Sequence, residues 1–197
     1  IVAACLLLAP AAYAVPTLTA VSGNAFVQRP QSPGWQPAKQ GETLAPNDQV
    51  RTGSGSRATV TFDDQSRIEL GPNASFTLVE ATGQTSSVKL ALGSLRAWVS
   101  KAISKRFEVR TPTAVCSVRG TEFSVDVGAQ GQTRVEMFTG LLAVADNAGN
   151  EVLLKDNQRI EVTDKGLGAV QGEGASQGSG DADKARAAMK REVGLEM

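Results

Sequence analysis

The sequence predicts an all-β fold, an antiparallel β-sandwich followed by a Gly/Ser-rich tail. Three observations predict it. From Val21 to Val162 apolar residues recur with a period of two, the pattern of strands buried on one face. Gly, Pro, Asn and Asp punctuate that alternation every few residues, and connections so short join mostly antiparallel neighbours. No helical pattern intervenes, and many short strands without helices pack as a sandwich or a related closed β architecture.

The elements follow in order. Ala58, Val60 and Phe62 alternate with Thr59 and Thr61, and Asp63-Asp64-Gln65 makes a turn. Ile68 and Leu70 alternate with Arg67 and Glu69, Gly71-Pro72-Asn73 turns again, and Ala74, Phe76 and Leu78 resume. In "VKLALGSLRAWV" the inward set runs Val88, Leu90, Leu92 and then jumps to Leu95, Ala97, Val99. One extra residue in a ladder is a β-bulge, and glycine suits its positive φ. Gly93, and Gly140 in the similar "VEMFTGLLAVA", are therefore expected to bend strands between two sheets. Phe107 and Val109, Phe123 to Val127, Val135 and Met137, Val152 and Leu154, and Ile160 and Val162 complete the alternation. Val50-Arg51-Thr52 and Val109-Arg110-Thr111 echo one another before a turn and a strand, too short a match to establish a repeat.

The two ends differ from this body. "IVAACLLLAPAAYA" is apolar, too short to span a bilayer, and ends in Ala12-Tyr13-Ala14. It is read as the remnant of a secretory signal peptide, residues 1–14, cleaved after Ala14. A lipobox attaching lipid to Cys5 is the rival reading, and a buried N-terminal helix, opposed by Pro10, is a third. The β-domain is assigned to 15–165. Residues 166–180 are rich in Gly, Ser and Gln and read as a flexible linker. Residues 181–197 fit a short helical or disordered tail, with Asp181 or Asp183 as N-cap and Ala185, Ala188 and Met189 on one side. The expected compartment is periplasmic or extracellular, with no transmembrane segment in the mature chain.

Composition narrows function. Of 197 residues, 20 are Lys or Arg and 20 are Asp or Glu, and aromatics make up 5%. Neither an electrostatic footprint nor a stacking surface for nucleic acid is expected. There is no histidine, which excludes His-based triads and His-ligated metals. Removal of Cys5 leaves Cys116 as a lone thiol inside a strand pattern, read as a small core residue. Asp63-Asp64 reads as turn chemistry, since calcium needs about six oxygen ligands. No catalytic, cofactor or metal site is assigned.

Three residues remain as candidates for partner contact. Arg119, in "VRGTEF", carries a guanidinium fork suited to a carboxylate or phosphate, with pairing to Glu122 or Glu136 inside the fold as the preferred reading. Gly120, Thr121 and Pro112 around it read as turn formers. Trp35 and Trp98 are isolated aromatics. Trp98 falls on the face opposite Leu95 and Ala97 and is expected to pack in a second layer, with an exposed sugar or partner platform as the alternative.

Taken in order, these residues resemble the FecR-type domain. The carriers are "GNAFVQRPQSPGWQPAKQGETLAPNDQVRTGSGSRATVTFDDQSRIEL", "VKLALGSLRAWV" and "VRTPTAVCSVRGTEFSV", and the likeness runs over about residues 20–164. The resemblance implies a jelly-roll-like extracytoplasmic domain without catalytic residues or cofactors, working by contact with a protein or cell-envelope component. In the family's namesake the domain follows an anti-sigma segment and a membrane helix, and relays the state of an iron-siderophore receptor to a sigma factor. This sequence departs from that layout at both ends, so a stand-alone exported module is expected. The iron-uptake sensor arm and a carbohydrate-binding module are the alternatives.

Overall fold

The computed structural model describes residues 15–32, 34–101, 106–118 and 120–172. These contain seventeen strands and no helix. The first eight are β1 (Thr17–Ser22), β2 (Ala25–Gln28), β3 (Gln36–Pro37), β4 (Gln49–Thr52), β5 (Arg57–Thr61), β6 (Arg67–Leu70), β7 (Ser75–Ala81) and β8 (Thr85–Trp98). Then follow β9 (Arg106–Arg110), β10 (Ala114–Val118), β11 (Glu122–Val127), β12 (Thr133–Thr139) and β13 (Leu142–Asp146). The last are β14 (Glu151–Leu154), β15 (Gln158–Thr163), β16 (Gly166–Leu167) and β17 (Gln171–Gly172). The all-β prediction holds.

The strands hydrogen-bond in two sheets. Sheet I runs β1-β5-β6-β8-β11-β12-β15, with β16 and β17 on the outer edge of β15. Sheet II runs β3-β2-β4-β7-β8-β9-β10-β13-β14. Strand β8 belongs to both: Ser86–Leu92 pair with β7, while Leu95–Trp98 pair with β6. The crossing point is Gly93, at φ 84°, where a Cβ would lie 2.6 Å from the Ala74 Cα. The predicted phase slip at Gly93 is therefore the joint between the sheets. Its detail differs from the reading in one place. Leu92 is exposed and Val99 half-buried, because the ladder with β7 already shifts register between Leu90 and Leu92.

The same crossing explains why the sheet is mixed. β8 and β9 pair in parallel, although short connections favour antiparallel neighbours. After Trp98 the chain is in sheet I and returns to lie beside the first half of β8 in sheet II. Such a return is a crossover, and crossovers make parallel pairs.

One apolar core draws side chains from both sheets, including Leu18, Ile68, Leu95, Phe123 and Ile160 from sheet I and Val50, Phe76, Val109, Cys116 and Leu142 from sheet II. Phe62, just after β5, meets Phe107 of β9 edge to face at 5.5 Å, a favoured aromatic geometry.

The sheet also runs past residue 165. β16 and β17 pair with β15, and Leu167 and Val170 pack against the core, so residues 166–172 are ladder and not linker. A Gly-rich composition hides this because ladder bonds use backbone groups alone. The expected leader at 1–14 and the remaining tail at 173–197 lie outside the described residues.

Candidate partner-binding surface

The triplets Val50-Arg51-Thr52 and Val109-Arg110-Thr111 share one hydrogen-bond device. Thr52 N–H donates to Ala74 O, and Ala74 N–H donates to Thr52 Oγ1 at 2.8 Å. Thr111 N–H donates to Ala114 O, and Ala114 N–H donates to Thr111 Oγ1, also at 2.8 Å. Each threonine closes the end of its strand, and each leaves the preceding arginine, Arg51 or Arg110, exposed. The Thr-Pro-Thr stretch goes further. Thr113 Oγ1 lies 2.8 Å from Thr133 Oγ1, and Thr133 donates to Thr111 Oγ1 at 2.8 Å. This buried hydroxyl chain ties the β9–β10 turn of sheet II to β12 of sheet I, so these residues serve the architecture.

Arg119 lies outside the described residues. Its expected partner Glu122 accepts two bonds from Arg96, from Nε at 3.0 Å and Nη2 at 2.5 Å. Glu136 stands across the ladder from Ser124 and Arg159. Cys116 is fully buried, and burial followed by the nearby Glu108 charge pushes its thiol up to about 12. At neutral pH that thiol is protonated and a poor nucleophile. Asp64 accepts from Ser66 N–H at 2.9 Å, which is turn chemistry.

The tryptophans are not core residues. Both are half-buried, and each carries an arginine over its ring. Trp98 lies on the outer face of sheet I with Arg67 at 4.2 Å and Arg96 at 5.1 Å, and Arg96 also covers Phe138 at 4.5 Å. The alternation that put Trp98 opposite Leu95 was right. Among the described residues, the guanidinium groups of Arg67 and Arg96 lie over its ring. Trp35 lies under Arg51 at 4.3 Å.

The two outer faces differ in kind. On sheet I the charges alternate along cross-strand rows. One row reads Glu69, Arg96, Ser124, Glu136, Arg159, and another reads Asp126, Arg134, Glu161. Opposite charges across a ladder support one another, and a face so compensated is at ease in water. Sheet II presents a different row: Pro37, Phe26, Arg51, Ser75 and Leu92 stand side by side on β3, β2, β4, β7 and β8. Phe26 is 38% exposed and Leu92 39%. Val79 of β7, at 37%, is the other large apolar side chain exposed on a strand, so all three sit on sheet II. Arg51 caps Trp35 within this row and makes no ion pair among the described residues. An exposed Phe26 beside Arg51, with half-buried Trp35 under the guanidinium, has the composition of a protein-contact hot spot.

Sequence reasoning found Trp35 but missed Phe26, Arg51 and Leu92 as its companions. Each reads as an ordinary strand residue alone. Only the register brings them into one row.

Three comparisons bear on identity. Residues 48–143 match the family model described as FecR protein. A search of curated proteins returns no match. Among solved structures, two crystal structures of a protein from Parabacteroides distasonis ATCC 8503, provisionally assigned as an anti-sigma factor, superpose with a TM-score of 0.56. Identity is 23%, with 72% of this chain aligned to 64% of that one. The likeness is one of fold, and this chain spans about 64% of the length of those structures. The order of motifs, the all-β architecture and the family match agree in likening residues 48–143 of this chain to a FecR-type domain.

Proposed function

We propose that the protein is an exported, non-catalytic FecR-type domain that acts by binding a protein or cell-envelope partner, and that the outer face of sheet II at Phe26, Trp35 and Arg51 makes the contact. The observation that carries this is the row Phe26–Arg51–Ser75–Leu92 on the outer face of sheet II, where exposed Phe26 and Leu92 flank an arginine with no ion pair among the described residues. Sheet edges, faces and end loops are the natural contact surfaces of such a fold. The test is recovery of partners from an envelope extract by the full chain, with Trp35→Ala/Arg51→Ala and Arg67→Ala/Trp98→Ala as paired controls. The first double variant loses the partner and the second keeps it. Recovery unaffected by the first defeats the assignment of the face.

Export is part of the proposal. The chain purified from its native envelope fraction is expected to begin at Val15, by intact mass. A chain retaining residues before Ala14, or lipidated at Cys5, contradicts cleavage there.

The sensor arm of an iron-uptake and sigma-factor system is the second reading, supported by the FecR match. A carbohydrate platform draws less support, since a guanidinium stands over each tryptophan ring where a sugar would stack.

A further inference from the structure

An exposed strand edge invites pairing with another chain, and folded proteins usually close their edges. Three of the four edges here are closed. β1 is covered by the segment 41–44: Leu18 N–H donates to Glu42 O, Gly41 N–H to Leu18 O and Leu44 N–H to Pro16 O, each at 2.8 Å. β15 is covered by β16 and β17. β3 is two residues long and ends in Pro37. The fourth edge, β14, pairs with β13 on one side and with no strand of the described residues on the other. It carries no proline, glycine or bulge, and Val152 and Leu153 are half-buried.

The phase of the β13–β14 hairpin shows which groups are open. Asp146 N–H donates to Asn150 O at 2.9 Å across the turn. Bonded pairs then alternate, so Val144–Val152 and Leu142–Leu154 are bonded. The N–H and C=O of Glu151 and Leu153 point away from β13.

The sequence of this edge is Glu151-Val152-Leu153-Leu154-Lys155, which is complementary to itself when antiparallel. Centred on Leu153, it sets Leu153 opposite Leu153, Val152 opposite Leu154, and Glu151 opposite Lys155 of the other strand. The register that exposes the Leu153 backbone groups is the same one that brings the opposite charges together. Glu151 and Lys155 are both exposed, and neither has an ion pair among the described residues. Lys155's own backbone groups are engaged in the turn with Gln158, so Leu153 supplies the central backbone bonds and residue 155 supplies its charge.

We infer that the protein self-associates through β14, a second copy adding its β14 antiparallel about a two-fold axis to continue sheet II. The contact is short, so the dimer is weak and concentration-dependent. The test needs no partner protein: light scattering and sedimentation on the full chain from micromolar to near-millimolar concentration. The wild type is expected to show a concentration-dependent dimer that weakens with salt. Glu151→Lys and Lys155→Glu each set like charges opposite one another and are expected to weaken it about tenfold. The double variant restores it, and an equimolar mixture of the two single variants forms the heterodimer in preference to either homodimer. Leu153→Pro removes the outward N–H and gives a monomer, with circular dichroism confirming the fold. A wild type that stays monomeric throughout, or a dimer indifferent to the charge exchange, overturns the proposal.

Discussion

At the residue scale the polar groups that catch the eye in the sequence hold the fold together. Thr133 sits fully buried between Thr111 and Thr113. Thr133→Val removes a hydroxyl and leaves Thr111 and Thr113 short of a partner, so it is expected to cost about 1–3 kcal/mol in urea unfolding. Gly93→Ala combines a positive φ with a close approach to the Ala74 backbone, and about 3 kcal/mol is expected from strain and overpacking. Cys116 makes the complementary point. With its thiol pushed up to about 12 by burial, it should resist a thiol reagent in native buffer and react fully in denaturant. Rapid labelling of the native protein would show that the strand around it opens.

At the element scale β8 decides most of the architecture. Its first half is a central strand of sheet II and its second half a central strand of sheet I. Damage at Gly93 should therefore weaken amide-exchange protection in both sheets together. Strand β4 shows how an element builds a surface: its inward Val50 enters the core while Arg51, one residue on, joins the exposed row under which Trp35 lies. Trp35→Ala and Arg51→Ala remove a contact of about 0.5–1 kcal/mol at an exposed site. They should change stability little, so any loss of partner binding reports on the surface itself. The alternation reads each strand on its own. It could not show that Phe26, 25 positions earlier in the chain by numbering, is Arg51's neighbour, because sequence carries no register between strands so far apart.

At the scale of the whole molecule one core serves both sheets, so thermal unfolding of residues 15–172 is expected to be a single cooperative transition, with calorimetric and van't Hoff enthalpies in agreement. Its acid limb has an identifiable contributor. Asp146 accepts from Asn150 Nδ2, Asn150 N–H and Ala148 N–H, each at 2.9 Å, and the Asn150 side-chain bond leads in holding its carboxyl below the usual value. A group lowered in the folded state stabilises the fold above its unfolded value, about 3.9. That stability is lost as pH falls through the folded value. Asp146→Asn should flatten the fall of melting temperature below about pH 4. Asp126 acts in the opposite sense: burial raises its carboxyl despite Arg134, so its ionisation opposes folding as pH rises.

Period-two alternation was enough to establish an all-β chain, the turns between strands and the bend at Gly93, because each depends on residues adjacent in sequence. The order of motifs was enough to point to the FecR-type domain. Tertiary structure alone decided that β8 belongs to two sheets, that β9 runs parallel to it, that residues 166–172 join the ladder and that Trp98 lies outside the core. It also decided which side chains share a face. Those outcomes depend on strand register and on which backbone groups meet, and both are set by contacts between segments far apart along the chain.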